Sequence, residues 1–367
     1  MIETVLCVDI GTTSLKAGLI TADGEVVSFS KYNYVDYNNR MIAHKWLNAL
    51  IQCVTKIKRH IDSSLICIKA VSISGNGPTV VSKSGMTLRW NEEYSIDKNL
   101  TGKSLFLPKI LGFKNLFSKE FERSEFIFSG PEFLIYELTG KAVTVLPEKR
   151  YESAYWTQQQ LEKLGIQANK MPPYCEVGQI IGNLTDEAIK LLRISDLILN
   201  SVPVFSCGPD FIAALIGTGT LSCGSICDRS GSSEGFNFCI DKPISGENLR
   251  FLPSVIPGLW NISALLTISS KLSEKQRLEK VCNCVNMLKN YAIKNGLEFP
   301  KSMTVTGGQT RNKSWMRKKA EALNMNLLVC DCSDSELLGD ACVAWYGLGK
   351  YNSLQEAALN IVQKKEI

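Results

Sequence analysis

The sequence predicts an α/β protein of two lobes, each a sheet that carries helices, and three observations predict it. The 367 residues are more than twice the roughly 150 of an ordinary domain. Runs rich in Val, Ile and Leu alternate with stretches of helical spacing. A pattern of two extended runs around a Gly/hydroxyl loop stands near the N-terminus and returns after residue 224.

From the start, "TVLCVDI", "LKAGLIT" and "EVVSFS" are three short runs of strand formers. Gly11, Thr12 and Thr13 separate the first two, and "ADGE", with its Asp23-Gly24 hairpin signal, separates the second from the third. A three-stranded meander is predicted. From His44 to Ile61 the residues Trp46, Leu47, Leu50, Ile51, Val54 and Ile57 recur at helical spacing, and "IKAVSISG" follows as a buried strand. A second block opens with "VPVFSCG", a helix from about Asp210 to Ile216, and "GSICDRSGSSEGFNFCI". Setting Gly231 on Gly11 matches Ser232 and Ser233 to Thr12 and Thr13, and puts Arg229 where Asp9 stands. The remainder alternates: a helix through "EKVCNCVNMLKNYAIKNG" stopped by Gly296, a strand, a Gly-Gly turn and a helix in "SMTVTGGQTRNKSWMRKKAEAL", then "NLLVCD" and a helix in "SELLGDACVAWYGLG". The lobes are expected to span 1–205 and 206–367.

Bulk properties exclude several classes. Hydrophobic residues are 45% and charged residues 21%, a globular balance. The net charge is only +5, with Lys and Arg scattered among acids, so neither nucleic acid nor an anionic membrane is an expected partner. Thirteen cysteines include no pair at zinc-knuckle spacing, and only His44 and His60 could join them, which points to free thiols in a reducing compartment. No leader-like segment or apolar run of about 18 residues is present, so the expected location is the cytoplasm. "GKS" at 102–104 lacks the first glycine of a phosphate-binding P-loop, and "GSSEG" at 231–235 has no downstream His for a hydrolase triad.

The loop at 11–14 is the informative stretch. Backbone N–H groups freed by Gly11, with the hydroxyls of Thr12, Thr13 and Ser14, form a donor surface suited to phosphate oxygens. Asp9 just before it could hold a hydrated Mg²⁺, which takes one or two carboxylates and keeps its waters. Lys16 adds a positive charge. The alternative is a plain hairpin in which Asp9 caps a turn.

"VDIGTTSLKAGLI", "VSISGNGPTVV", "YELTGKAVT", "CGPDFIAALIGTG", "RSGSSEG" and "VTGGQTRNKSWMRKKAEAL" occur in the order seen in the FGGY family of carbohydrate kinases, which the chain resembles from Val5 to about Gly349. The resemblance implies two ribonuclease H-like lobes of the actin-like ATPase superfamily with ATP and Mg²⁺ in the cleft. It implies that Asp9 to Ser14 are the first phosphate motif and Gly231, Ser232 and Ser233 the second. Gly307, Gly308, Gln309 and Asn312 would belong to the turn beside the adenosine. Asp210 would be the catalytic base, and Asn76, Gly77, Trp90 and Phe211 would lie on the acceptor side. From the residues alone, Asp210 also reads as a helix N-cap.

The chain departs from relatives in several places. Gly77-Pro78 stands where many have Met-His, no Arg follows Trp90 in "WNEE", and Phe211 replaces the Gln of glycerol kinases. Only 75 residues separate Gly231 from Gly307, a shortened second lobe. The expected activity is ATP-dependent phosphorylation of a sugar or polyol, a ketose such as a pentulose, by a protein free to form a homodimer. A nucleotide-binding sensor or scaffold that has lost phosphotransfer is the alternative. An ATPase of the dehydratase-activator type, with a cysteine-held cluster, is a third.

Overall fold

In the computed structural model, which describes residues 1–35, 39–230, 234–243, 249–266 and 272–367, the predicted meander forms as β1 (Ile2–Ile10), β2 (Ser14–Ile20) and β3 (Val26–Asn33). β1 and β2 pair antiparallel from Val5↔Ile20 to Ile10↔Leu15, which leaves Gly11 to Ser14 between the last partners. Gly24 closes the next turn at φ +88°, a conformation that favours glycine. α1 (Ile42–Lys58) lays Trp46, Leu50, Val54 and Ile57 on the sheet. It ends before the expected Ile61, because Arg59 and His60 donate back to Lys56 and Ile57 in a tight turn. β4 (Ile66–Gly75) then runs parallel to β1.

No clear periodicity marks 78–200, and there the chain forms short helices and small two- and three-stranded sheets. Its motif "YELTGK" ends α2 (Gly130–Thr139), whose N-terminus has a capping box between Ser129 and Glu132. β5 (Gly182–Asn183) and β6 (Pro203–Pro209) complete the first sheet in the order β5-β6-β4-β1-β2-β3, and α3 (Asp210–Gly217) follows β6 directly. β6 pairs in parallel with β4, from Val204↔Val71 to Pro209↔Gly75. The expected division at 205/206 therefore falls inside a strand of the first sheet.

The second lobe repeats the plan with β7 (Ile226–Ser230), β8 (Glu234–Ile240), β9 (Arg250–Pro253), β10 (Trp260–Leu266), α4 (Glu274–Lys294) and β11 (Ser302–Thr306). There follow α5 (Lys313–Leu323), β12 (Asn326–Cys330), α6 (Ser335–Gly347), α7 (Leu354–Ile361) and β13 (Lys364–Glu366). The sheet order is β9-β10-β8-β7-β11-β12-β13. In both sheets a hairpin's first strand is flanked on its other side by two parallel strands, as β3-β2-β1-β4-β6 and as β10-β8-β7-β11-β12. This is the ribonuclease H-like arrangement expected of each lobe. The last pairs differ in span, Ile10↔Leu15 enclosing four residues and Ser230↔Glu234 three, but Asp9 and Arg229 each stand one residue before the last paired residue of the hairpin's first strand.

The lobes meet where α3 crosses α6. A methyl at Gly217 would overlap the carbonyl oxygen of Ser335, and one at Gly339 would overlap that of Ala213. One residue on, Asp340 is fully buried and accepts the hydroxyls of Ser72 (3.0 Å) and Ser74 (2.8 Å) from β4. All thirteen cysteines are free thiols, and no described helix is long and apolar enough to cross a membrane. Glycine costs an α-helix roughly 1 kcal/mol relative to Ala, so Gly339→Ala would stabilise a helix that met nothing. Here backbone stands in the way, and the substitution is expected to destabilise by about 1–3 kcal/mol. Equilibrium urea unfolding checks this, and a raised midpoint would mean that the crossing imposes no such constraint.

Candidate active site

Between the two hairpins lies a cleft of about 510 Å³. Asp9, Gly11, Thr12, Thr13, Ser14, Lys16, Trp90, Asp210 and Gly307 line it together, although they come from four separated stretches of chain. Burial on both faces of β1 delivers Asp9 to the cleft floor at only 3% exposure. The loop after it is held by a bond from the Gly11 N–H to the Ser14 carbonyl (2.9 Å), and a Cβ on residue 11 would stand 2.9 Å from that same oxygen. The expected second phosphate motif, Gly231 to Ser233, lies outside the described residues.

Its flanks are described, and they rest on a buried ionic network. Lys319 of α5, fully buried, bonds Asp228 and the Glu234 Oε1 (2.6 Å), while Arg277 (3.2 Å) and the Gln309 amide (3.1 Å) reach Glu234 Oε2. The two carboxylates hold the Lys319 ammonium above the ordinary lysine range, against the burial that opposes it. Gln309 accepts the Trp315 indole N–H (2.6 Å), and Asn312 caps α5 by accepting the Trp315 backbone N–H (3.0 Å). Neither side chain lines the cleft. Gly307, at φ +92°, lines it, and Gly308 opens the short helical turn beyond.

Three carboxylates share the cleft, and sequence reasoning found two of them. Asp210 begins α3, and the third, Glu336, sits in the first turn of α6. Burial pushes the Asp210 carboxyl up to about 6, with Arg229 pulling the other way and Asp9 adding to the rise. Burial and then the Asp9 charge push Glu336 up to about 7. Lys16 bonds Asp9 Oδ2 (3.1 Å) and Asp334 (3.0 Å), one partner from each lobe. Burial opposes its charge, but Asp9, Glu336 and Asp334 outweigh that and hold the ammonium well above its usual range. Glu336 and Asp334 escaped notice because "SDSELL" reads simply as the polar start of a helix.

The residues expected on the acceptor side form a chain of contacts to the Gly11–Ser14 loop. Asn76 Oδ1 accepts the Thr79 hydroxyl (2.9 Å), Thr79 Oγ1 accepts the Trp90 backbone N–H (3.2 Å), and the Trp90 indole donates to Thr12 Oγ1 (3.0 Å). Gly77 packs on Pro209, and Phe211 packs at the edge of the core that joins the lobes. Lys109, 2% exposed, braces the Trp90 turn from below by bonding the Arg89 and Glu92 carbonyls (2.9 Å each).

The donor set suits a hard cation bound through phosphate. Asp9 and the loop hydroxyls are oxygen ligands, yet among the described residues no group of three or more His, Cys, Asp or Glu could hold a metal. That fits Mg²⁺, which takes few carboxylates and keeps waters, better than an ion caged by protein. A second cavity of about 590 Å³ lies by the β2–β3 turn, but Asp23, Glu25, Asp331 and Asp334 line it against one arginine, Arg311. A polyphosphate is repelled there. In the first cleft, a double-mutant cycle of Trp90→Phe and Thr12→Val is expected to give a coupling of about 0.5–1.5 kcal/mol in unfolding free energy. No coupling would mean that the bond joining the two segments contributes nothing.

No family model matches the chain. It is 24% identical to the L-fuculokinase of Escherichia coli O157:H7 over 457 aligned positions, covering 98% of this chain and 95% of that one. Those positions outnumber the 367 residues here, so the alignment carries internal gaps. Among solved structures, the xylulose kinase of Lactobacillus acidophilus superposes with a TM-score of 0.77 at 15% identity, covering 99% and 93% of the two chains. The glycerol kinase of Plasmodium falciparum with ADP gives 0.78 at 13%, covering 100% and 94%. Over nearly its whole length the chain is thus similar to carbohydrate kinases, and it has the two-lobed fold of the solved structures among them.

Proposed function

We propose that the protein transfers the γ-phosphoryl group of ATP to a hydroxyl of a sugar or polyol, with a ketose such as a pentulose as the acceptor that the family suggests. The observation that carries this reading is Asp210. It stands in one cleft with Asp9 and the Gly11–Ser14 loop, and its carboxyl is pushed up to about 6, near the operating range of a general base. Asp210 takes the acceptor's hydroxyl proton, the oxygen attacks the γ-phosphorus, and ADP leaves. The loop N–H groups and hydroxyls of Thr12 and Thr13 stabilise charge on the transferring group, joined by Ser232 and Ser233 from the second hairpin. Asp9 is the residue that would hold Mg²⁺, whose chemistry there is to bridge and neutralise phosphate oxygens. Gly307 and Gly308 let the backbone approach the nucleotide, while Gln309 and Asn312 brace that turn.

A nucleotide-binding protein without turnover is the second reading, and one observation favours it. The acceptor segment closes on itself, since Glu92 is held by both Arg89 (2.5 Å) and Arg40. The two readings separate on ADP release from Mg-ATP with pentuloses, hexuloses, aldoses and polyols, where release above background requires the enzyme.

Pro209, not Asp210, is the N-cap of α3, and no side chain caps that end. Asp210→Asn preserves size but cannot accept a proton, so the transfer rate is expected to fall about 10²–10⁴-fold while ATP still binds. In the wild type, the rate should be full above the Asp210 value of about 6 and be lost as pH falls through it, since the base works only when ionised. Near-normal turnover in the Asn variant would assign the base to another residue. A rate that stays flat down to pH 5 would do the same.

A further inference from the structure

Among the described buried or half-buried cations around the second hairpin, Lys319 and Arg277 are paired and two arginines are not. Lys319 has Asp228 and Glu234, and Arg277 has Glu234. Arg229 at the end of β7 and Arg250 at the start of β9 have no ion-pair or hydrogen-bond partner for their guanidinium groups among the described residues, and the Nε of each is buried without one. Both converge on Phe211, the residue after the base, with guanidinium carbons 6.0 Å (Arg229) and 5.4 Å (Arg250) from its ring centroid. Burial, and after it the neighbouring Arg229 charge, press the Arg250 guanidinium below its usual range.

Two like charges gathered beside one ring, Arg229 near the Asp210 carboxyl but neither guanidinium bonded to an acid among the described residues, are costly unless a ligand brings the opposite charge. A phenyl face shields one side of a guanidinium and leaves its N–H edges free, the arrangement that receives an oxyanion. Arg229 lines the cleft beside Asp210, whereas Arg250 comes from β9, whose far end, Pro253, accepts the Tyr151 hydroxyl of the first lobe (2.7 Å). Their shared target is thus on the Phe211 side of the base rather than in the Gly11–Ser14 loop.

We propose that the acceptor carries a negative charge, as the carboxylate of a sugar acid or the phosphate of a sugar phosphate, received by Arg229 and Arg250 beside Phe211. Where glycerol kinases use a Gln for a hydroxyl, Phe211 serves here as the platform on which two cations are oriented. The inference rests on the kinase reading for the word acceptor, but the anion site itself can be tested without turnover.

Isothermal titration without nucleotide compares gluconate, xylonate and fructose 6-phosphate with glucose, xylulose and fructose. At least one anionic sugar is expected to bind about 10- to 100-fold more tightly than its neutral counterpart, the worth of one or two charge-assisted hydrogen bonds. Arg250→Met and Arg229→Met should each remove most of that preference, and Arg250→Lys, which keeps charge on β9 without the fork, should retain part of it. Melting temperature and ADP affinity identify variants that remain folded, with Arg250→Lys read alone where the Met variant does not fold. Equal or tighter binding of the neutral sugars overturns the proposal. So does displacement of the anions by ATP combined with an Arg250→Met loss confined to ATP affinity, because the arginines would then hold the nucleotide's phosphates. Binding of a sugar acid with no turnover of any acceptor supports the anion site and sinks the phosphotransfer reading instead.

Discussion

The crossing of α3 and α6, backbone against backbone at Gly217 and Gly339, is the constraint on which the site depends. Asp210 is the first residue of α3 and Glu336 lies in the first turn of α6, so the contact between the two helices sets where both carboxyl groups stand relative to Asp9. Side-chain packing yields to a changed neighbour, but two polypeptide backbones in contact have nothing flexible between them. Asp340 extends the same joint inward by tying α6 to Ser72 and Ser74 on the central strand of the first sheet. Lys16 extends it outward, since its two carboxylate partners belong to different lobes.

That geometry sets up an electrostatic problem. Asp9, Asp210 and Glu336 share one partly desolvated cleft, where burial first and the Asp9 charge after it raise both Asp210 and Glu336. Lys16 bonds Asp9 and Asp334, while Arg229 and, more weakly, Lys16 act on Asp210 without a direct bond to it. The base proposed at Asp210, which must be ionised yet reactive, is served by such a balance. Closer pairing would lower its basicity, and no cation at all would leave it protonated at neutral pH.

Local chemistry made part of this legible in the sequence. The β1–β2 hairpin is written in strand formers around Gly11, the Asp23-Gly24 turn in its own two residues, and Asp210 in a Gly-Pro turn before an apolar helix. The placement of Arg229 against Asp9 was likewise readable from spacing, each standing one residue before the last pair of its hairpin. What stayed hidden depends on contacts across long separations. Lys109 looks like an ordinary helix lysine until it is seen beneath the Trp90 turn, and Glu336 like a helix-start acid until α6 is seen to end in the cleft. Between 78 and 200 the elements are too short for periodicity to register, and their order comes from packing on the first sheet. The lobe division failed to appear because β6, which opens a new block in sequence, closes the old sheet in space.

The repeated topology also explains why the two hairpins are not chemically equivalent. Asp9 and Arg229 hold the same register position on corresponding strands, one presenting a carboxylate and the other a guanidinium to the same cleft. A second acid at 229 would face Asp9, Asp210 and Glu336, and a fourth negative charge there would repel any phosphate chain entering between the loops. Arginine reverses that sign while its side chain passes close to Gly235, where a Cβ would stand 2.9 Å from a guanidinium nitrogen. Glycine at 235 therefore belongs with arginine at 229, as the absence of bulk that lets the long side chain cross the hairpin. The second hairpin thus repeats the backbone of the first with the sign reversed at this one position, which keeps a fourth carboxylate from joining Asp9, Asp210 and Glu336 in the cleft.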